Sequence, residues 1–357
     1  MLVAGWGRGA ETAPANPSPK FLGANSCSSS GCHGGGGEHQ NQYLVWSLRD
    51  FHSQRPVATL ATARSKQIAD ALGIKDPATE NRCTVCHAPL MSVPESQRGT
   101  DFKVSEGVSC ESCHGPAENW IRSHTRHDYT EADRTAAGMR DLRNLYVRAN
   151  TCVACHQNVD ADILAAGHPE LMFELDGQSV SEPKHWQEAT NWNSAQAWLV
   201  GQAVALREIE WLDHREKKHS LQDAGLSPIV STASEAVSAL PWLRDNQTIE
   251  DWSDQVAKAA ADLNWTDDMT RKCLTTLTRD GLIFRDSSIQ RSELARRADR
   301  LVLGLDRLVG ALPELKGNQP VQSALNQLFA DAQSRPDFDP KKFTDDLDKF
   351  SQTLNGK

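Results

Sequence analysis

The sequence predicts a mainly α fold with little or no β, and three observations carry that prediction. No stretch alternates apolar and polar residues for long enough to make a strand. The second half places leucine, valine and alanine at helical spacing through several long runs. The first half repeats a short cysteine-rich unit whose geometry is one helical turn. The 357 residues suffice for two or three domains. The expected division is a flexible N-terminal segment over 1–20, a cysteine-rich domain over 21–190, and a helical bundle over 191–357 that covers or extends it.

Composition sets the outer limits. Hydrophobic residues make up 39% and aromatics only 6%, so large side chains are scarce and a bound group is expected to fill part of the interior. A net charge of −9 and a pI near 5.7 argue against nucleic acid or an anionic membrane as the main partner. No apolar run approaches the ~20 residues that span a bilayer. The opening MLVAGWGRGA lacks a charged start and a sustained apolar stretch. Ala13-Pro14-Ala15 does resemble the small-residue end of a cleavage site, so this tail reads as an ordinary Ala/Pro extension or as an export-signal remnant.

Eight of the nine cysteines lie between Cys27 and Cys155, in four contexts: CSSSGCH (Cys27, Cys32, His33), CTVCH (Cys83, Cys86, His87), CESCH (Cys110, Cys113, His114) and CVACH (Cys152, Cys155, His156). Every pair is followed at once by histidine. In c-type haem attachment, two thiols add to the vinyl groups on one porphyrin edge, and the adjacent imidazole becomes the proximal iron ligand. Two intervening residues make the turn that aligns both sulfurs. The first motif has four, and its three serines and glycine suit a loop that bulges outward. Zinc knuckles would leave the four histidines without a role. A disulfide scaffold would not need short vicinal pairs in a chain this long, and a thioredoxin-like motif would occur once. Four covalent haem c groups are therefore expected, held by the eight cysteines with His33, His87, His114 and His156 on iron. Cys273 stands alone in a helical stretch, as a small buried apolar residue would.

Eight histidines remain for the opposite faces of the irons: His39, His52, His124, His127, His168, His185, His214 and His219. Another histidine is the usual second ligand of a low-spin electron-transfer haem. His52 follows the apolar face of YLVWSLRDFH. His124 lies in GPAENWIRSHTRH with Trp120 and Ile121 one turn away, and His127 shares its face at i,i+3. Pro169 biases His168 towards an extended turn. His39 follows four glycines, which allow close backbone approach to a ring or a turn. His39 and His185 are the weaker candidates. Met91, four residues past His87, reads as packing, and His214 and His219 sit at a charged helix end.

With these motifs in place, residues 21 to 200 resemble the tetrahaem cytochromes c of the cytochrome c-554 type, carriers that accept electrons from hydroxylamine oxidoreductase in ammonia oxidisers. The resemblance rests on the haem motifs in order, YLVWSLRDFHS after the first, EGVSCESCHGPA with a later SH, and CVACH followed by AGHP. It implies His124 opposite His33, His52 opposite His156, His168 opposite His114, and a five-coordinate haem on His87. The chain departs from the family in its longer first motif and its long C-terminal segment.

From Trp192 the pattern becomes helical. NSAQAWLVGQAVALREIEWLDHREKK runs for about seven turns, and further helices read from Asp251, Asp267 and Ser292, punctuated by Pro241, Gly281, Pro313 and Pro336. This part holds no catalytic constellation. The expected function is electron transfer between redox partner proteins through four close haems. The alternative is an oxidoreductase acting on a small nitrogen or oxygen species at an open His87 haem. Covalent haem attachment follows export, so a periplasmic or otherwise extracytoplasmic site is expected.

Overall fold

The structure, a computed structural model, describes residues 18–38, 40–53, 55–188, 192–216, 226–334 and 337–354. The expectations attached to Ala13–Ala15, His39, His219 and Pro336 lie outside those residues. The fold is 59% helical with no strand among the described residues, as the missing alternation required. One isolated bridge joins Phe21 to Arg98.

The first half is a chain of short helices, each started by a local device. These are α1 (Gln42–Arg49), α2 (Arg55–Leu60), α3 (Ala63–Leu72), α4 (Asn81–His87), α5 (Cys110–His114), α6 (Glu131–Ala136), α7 (Leu145–His156), α8 (Ala161–Ala165) and α9 (Leu175–Ser181). The Thr62 and Thr130 hydroxyls and the Asn144 carboxamide accept from the first-turn N–H groups of α3, α6 and α7. Gly73 ends α3 at φ 69°, a conformation that costs glycine little. Few large side chains are fully buried here, and of the largest in the molecule only Phe173 and Leu175 precede α10.

The second half holds the main hydrophobic core. Its helices are α10 (Ser194–Glu216), α11 (Leu226–Ala236), α12 (Ile249–Asp262), α13 (Asp267–Leu277), α14 (Arg291–Ala311), α15 (Gln319–Ala332) and α16 (Pro340–Leu354). Helix α10 is apolar on nearly every side from Ala195 to Ile209 and is correspondingly buried at the centre. Trp252 and Val256 of α12 and Leu301 and Leu305 of α14 share that core. Two glycines permit the close contacts. A Cβ on Gly201 would meet Leu175 at 2.7 Å, and one on Gly304 would meet the Trp198 indole at 2.6 Å. Cys273 is fully buried, as expected of a small apolar residue. Helices α11, α15 and α16 add to those named from the sequence.

The two halves meet along α7. Ala149 and Val153 join the bundle core and Cys152 packs against it, while Cys152, Val153, Cys155 and His156 line the cavity of the first half. Arg207 of α10 secures this seam. It donates to Asn150 at 2.5 Å and to Asp254 at 2.7 Å, and the Tyr146 hydroxyl donates to the same Asp254 oxygen at 2.7 Å.

Candidate functional site

The short helices of the first half enclose a cavity of about 1740 Å³. A pocket for one small ligand holds ~300–1,000 Å³, so this space suits more than one group. All eight motif cysteines line it, and so do His33, His52, His87, His114, His124, His156, His168 and His185. His127 and His214 do not line it; both are exposed, and Met91 also lies off the wall.

Three motifs are helical as their spacing requires. CTVCH closes α4, CESCH forms α5, and CVACH closes α7, so each histidine is the last residue of its helix. The first motif is built differently. Cys27 ends a 3₁₀ turn (Ala24–Cys27), and Ser29 to Cys32 stand exposed. The His33 N–H then returns to the Cys27 carbonyl at 3.2 Å, which closes the longer loop and restores the histidine beside its first cysteine. Of the four following glycines, Gly34 and Gly35 answer to a tight turn. A Cβ on Gly34 would sit 1.8 Å from the Ser28 carbonyl oxygen, and one on Gly35 2.6 Å from that of Ser30.

The motifs also pair in space. The Cys27 and Cys110 thiols are neighbours, as are those of Cys86 and Cys155. Motif one thus backs onto motif three, and motif two onto motif four. Burial pushes the Cys113 thiol up to about 12 and that of Cys152 up to about 11.

The histidines are oriented through Nδ1. His33 Nδ1 faces Gln42 Oε1 at 2.9 Å, and His87 Nδ1 reaches the Pro56 carbonyl at 2.8 Å. His124 bonds the Ile121 carbonyl at 2.9 Å, His168 that of Pro169 at 2.8 Å, and His52 the Asp50 carboxylate at 3.0 Å. His156 Nδ1 lies 3.3 Å from the Gln178 amide nitrogen, while Gln178 Oε1 is buried without a partner. Turning that amide over supplies His156 with an acceptor. Six rings are thereby left with Nε2 free, the arrangement of metal-bound histidines whose other nitrogen is held by the protein. The exceptions are His114 and His185, whose Nδ1 atoms are buried without a hydrogen bond.

The rings meet in pairs. His33 and His124 have centroids 6.1 Å apart at 29°, and His52 and His156 lie 5.9 Å apart at 72°. Two metal–imidazole bonds of ~2 Å laid end to end put ring centroids roughly 6 Å apart, whatever the twist about that axis. Each pair can therefore hold one iron between its rings. His168 lies near His87: burial pulls the His87 imidazole below its usual value against the Pro56 carbonyl, and the charge of His168 adds to the fall. Burial takes His114 down to about 4, with the neighbouring charges of His185, His33 and His124 behind it. The family-implied partner of His114 was His168. His114, His168 and His185 all line the cavity.

His185 was weakly marked in the sequence, where Lys184-His185-Trp186 carries no ligand signature beyond the adjacent indole. It reaches the cavity because the segment after α9 folds back on α7. Arg148 donates to both Glu188 oxygens, at 3.0 and 3.2 Å, and Trp186 Nε1 donates to Glu188 at 2.6 Å.

Asp50, His52 and Glu182 put three ligand atoms within 4.8 Å of one another. Against the cost of burial, hydrogen bonds from His52 hold the Asp50 carboxyl below its ordinary range, while burial beside Asp50 lifts Glu182 to about 7. The hydrogen bond that the Asp50 carboxylate accepts from His52 in turn raises the affinity of His52 for protons.

Residues 26–115, about a quarter of the chain, match the family Cytochrome c554 and c-prime. The match takes in the first three motifs and His52 and ends just past His114; the fourth motif lies beyond it. It supports a c-type cytochrome with covalently bound haem c and a role in electron transfer. No curated protein and no solved structure matches the chain. No helix among the described residues is long and apolar enough to cross a membrane.

Proposed function

We propose that the chain is an extracytoplasmic tetrahaem c-type cytochrome that passes electrons between redox partner proteins. The observation that carries this reading is the single cavity onto which eight motif cysteines and eight histidines converge. Residues 21–190 form the haem domain, and 191–357 a bundle that buttresses it through α7. Cys27 and Cys32, Cys83 and Cys86, Cys110 and Cys113, and Cys152 and Cys155 hold one haem each. His33, His87, His114 and His156 are the proximal ligands.

His124 stands opposite His33 and His52 opposite His156, in keeping with their 6.1 and 5.9 Å separations. His168 is a third distal ligand. Bound haem c supplies one-electron redox chemistry whose potential follows axial ligand, burial and nearby charge. The chain's own residues set those conditions. Gln42, Pro56, Ile121 and Asp50 fix ring orientation through Nδ1, and apolar walls keep water from the ligands. Trp46, Leu60, Trp120 and Ile163 are buried side chains of that wall. The sparse aromatic content and thin apolar core of the first half fit an interior completed by four flat apolar groups.

A haem count tests the proposal. The pyridine haemochrome of the protein matured with its haems is expected to give four haem c per chain, all retained after denaturation. A protein with zinc and no Soret band refutes it. Replacing both cysteines of one motif by alanine should lower the count by one.

A further inference from the structure

We propose that α9 is the strut through which the C-terminal bundle holds the fourth haem, with Gln178 the positioning residue of His156. This inference rests on the tetrahaem reading and deepens it, since the family match ends before α9 and gives the bundle no role.

Helix α9 has only 7 residues, too few to hold a helix by themselves. Its first turn is fixed by the second half of the chain. The Glu174 carboxylate accepts from the N–H groups of Asp176 and Gly177, at 3.0 and 2.6 Å. Arg307 of α14 donates to that carboxylate at 2.9 Å and stands 3.5 Å from Asp176. The other Asp176 oxygen accepts from Trp192 Nε1 at 3.0 Å. Glu174 and Asp176 are both buried, and a buried carboxylate needs such partners. Beside them, Leu175 is fully buried against Gly201 of α10, and Gln202 donates to the Phe173 carbonyl at 3.1 Å.

The far turn faces the haem cavity. Gln178 and Glu182 are four positions apart, hence on one face, and both line the cavity wall. The Gln178 amide nitrogen lies 3.3 Å from His156 Nδ1, and Glu182 Oε1 lies 3.8 Å from His52 Nδ1. These are the two rings whose centroids stand 5.9 Å apart. One short helix, anchored on α10 and α14, thus reaches both imidazoles of a single iron. The lead-in to α9 is also tied to the end of α7, where Gln157 Oε1 accepts from Phe173 N–H at 3.2 Å.

Gln178 Oε1 is buried without a partner. An imidazole bound to iron through Nε2 carries its proton on Nδ1 and calls for an acceptor there. Turned over, the Gln178 carboxamide presents its oxygen to that proton. The hydrogen bond makes the imidazole more basic, which favours the oxidised iron.

Redox titration of the haem-loaded protein tests the inference. Gln178→Leu removes the acceptor and should raise one of the four potentials, whereas Gln178→Glu strengthens it and should lower the same one. Each is expected to change that haem's oxidised-to-reduced ratio about tenfold at a fixed applied potential. The responding haem should be the one that Asp50→Asn also moves, because Asp50 holds His52 across the same iron. Arg307→Met cuts the strut at its far end and should raise this potential too, opposite to the effect of losing a cation by charge alone. In a Gln178→Leu background it should add little. Arg271→Met, which breaks the exposed pair with Glu314, should move none of the four. Should Arg307→Met fail to mature, Glu174→Gln breaks the same ion pair and is read in the same double variant. Two Gln178 variants that shift the potential in one direction, or leave all four in place, remove Gln178 from His156. An Arg307 or Glu174 variant that acts in full on top of Gln178→Leu, or moves no potential by itself, overturns the strut. The haem count separates the two readings: four haems with unmoved potentials sink this inference alone, whereas too few haems in wild type sink the tetrahaem reading itself.

Discussion

Glu111 sits inside the CESCH motif, yet its carboxylate serves the backbone around it. It is 1% exposed. Oε1 accepts from Leu22 N–H at 2.9 Å and from Ala117 N–H at 2.7 Å, and Oε2 accepts from Gly23 N–H at 2.7 Å. One side chain thereby pins the segment leading into the first motif and the turn leaving the third. Glu111→Ala leaves the buried donors of Gly23 and Ala117 unpaired. At ~1–3 kcal/mol for each, the expected loss is about 2–6 kcal/mol, a large share of the ~5–15 kcal/mol that holds a typical protein folded. Glu111→Gln keeps one oxygen for Leu22 and Ala117 but turns an NH₂ towards Gly23, so about 1–3 kcal/mol is expected. Guanidinium unfolding of the haem-loaded protein, followed by far-ultraviolet circular dichroism, measures both. The reasoning fails if Glu111→Ala unfolds within about 0.5 kcal/mol of wild type, the range of an ordinary surface change.

Three further outcomes follow from the same structure. Asp50→Asn removes the negative charge behind His52, which should raise the potential of the His52/His156 haem by on the order of 50 mV, about a tenfold change for one electron, and leave the other three in place; redox titration that moves all four equally, or none, contradicts this. Gly304→Ala drives a methyl against the Trp198 indole and should cost about 1–3 kcal/mol in thermal or denaturant unfolding, while haem content is unchanged. Asp254 is held below its usual 3.8, where hydrogen bonds from Lys258, Tyr146 and Arg207 outweigh burial. The stability this contributes is present above about pH 3.8 and is lost as the pH falls further. Unfolding curves of wild type and Asp254→Asn should therefore differ at pH 7 and converge in acid; a constant gap down to pH 2 refutes the assignment.

Much of this site is written in adjacent residues. A thiol pair and a histidine within one turn mark a helical turn by their spacing, so the helices that end on His87, His114 and His156 could be read from it. Apolar periodicity likewise marked α10 and α14, because a helix buried on most of its faces must be apolar along its length. Even the stretched CSSSGCH announced an outward loop through its small, turn-forming residues.

What adjacency could not carry was which distant histidines come together. His52 and His156 are 104 positions apart, yet their rings lie 5.9 Å from each other, and no local pattern records that the segment after α9 folds back on α7 under the grip of Arg148 and Glu188. His124 and His127 share a helix-like face in sequence, and only the fold turns the first inward and leaves the second in solvent. The amino-acid order by itself carried the proposed attachment motifs, since each thiol pair and its imidazole are neighbours along the chain. The tertiary structure alone decided which distant imidazole faces which, because that pairing is a property of how helices pack and of a cavity no single segment encloses.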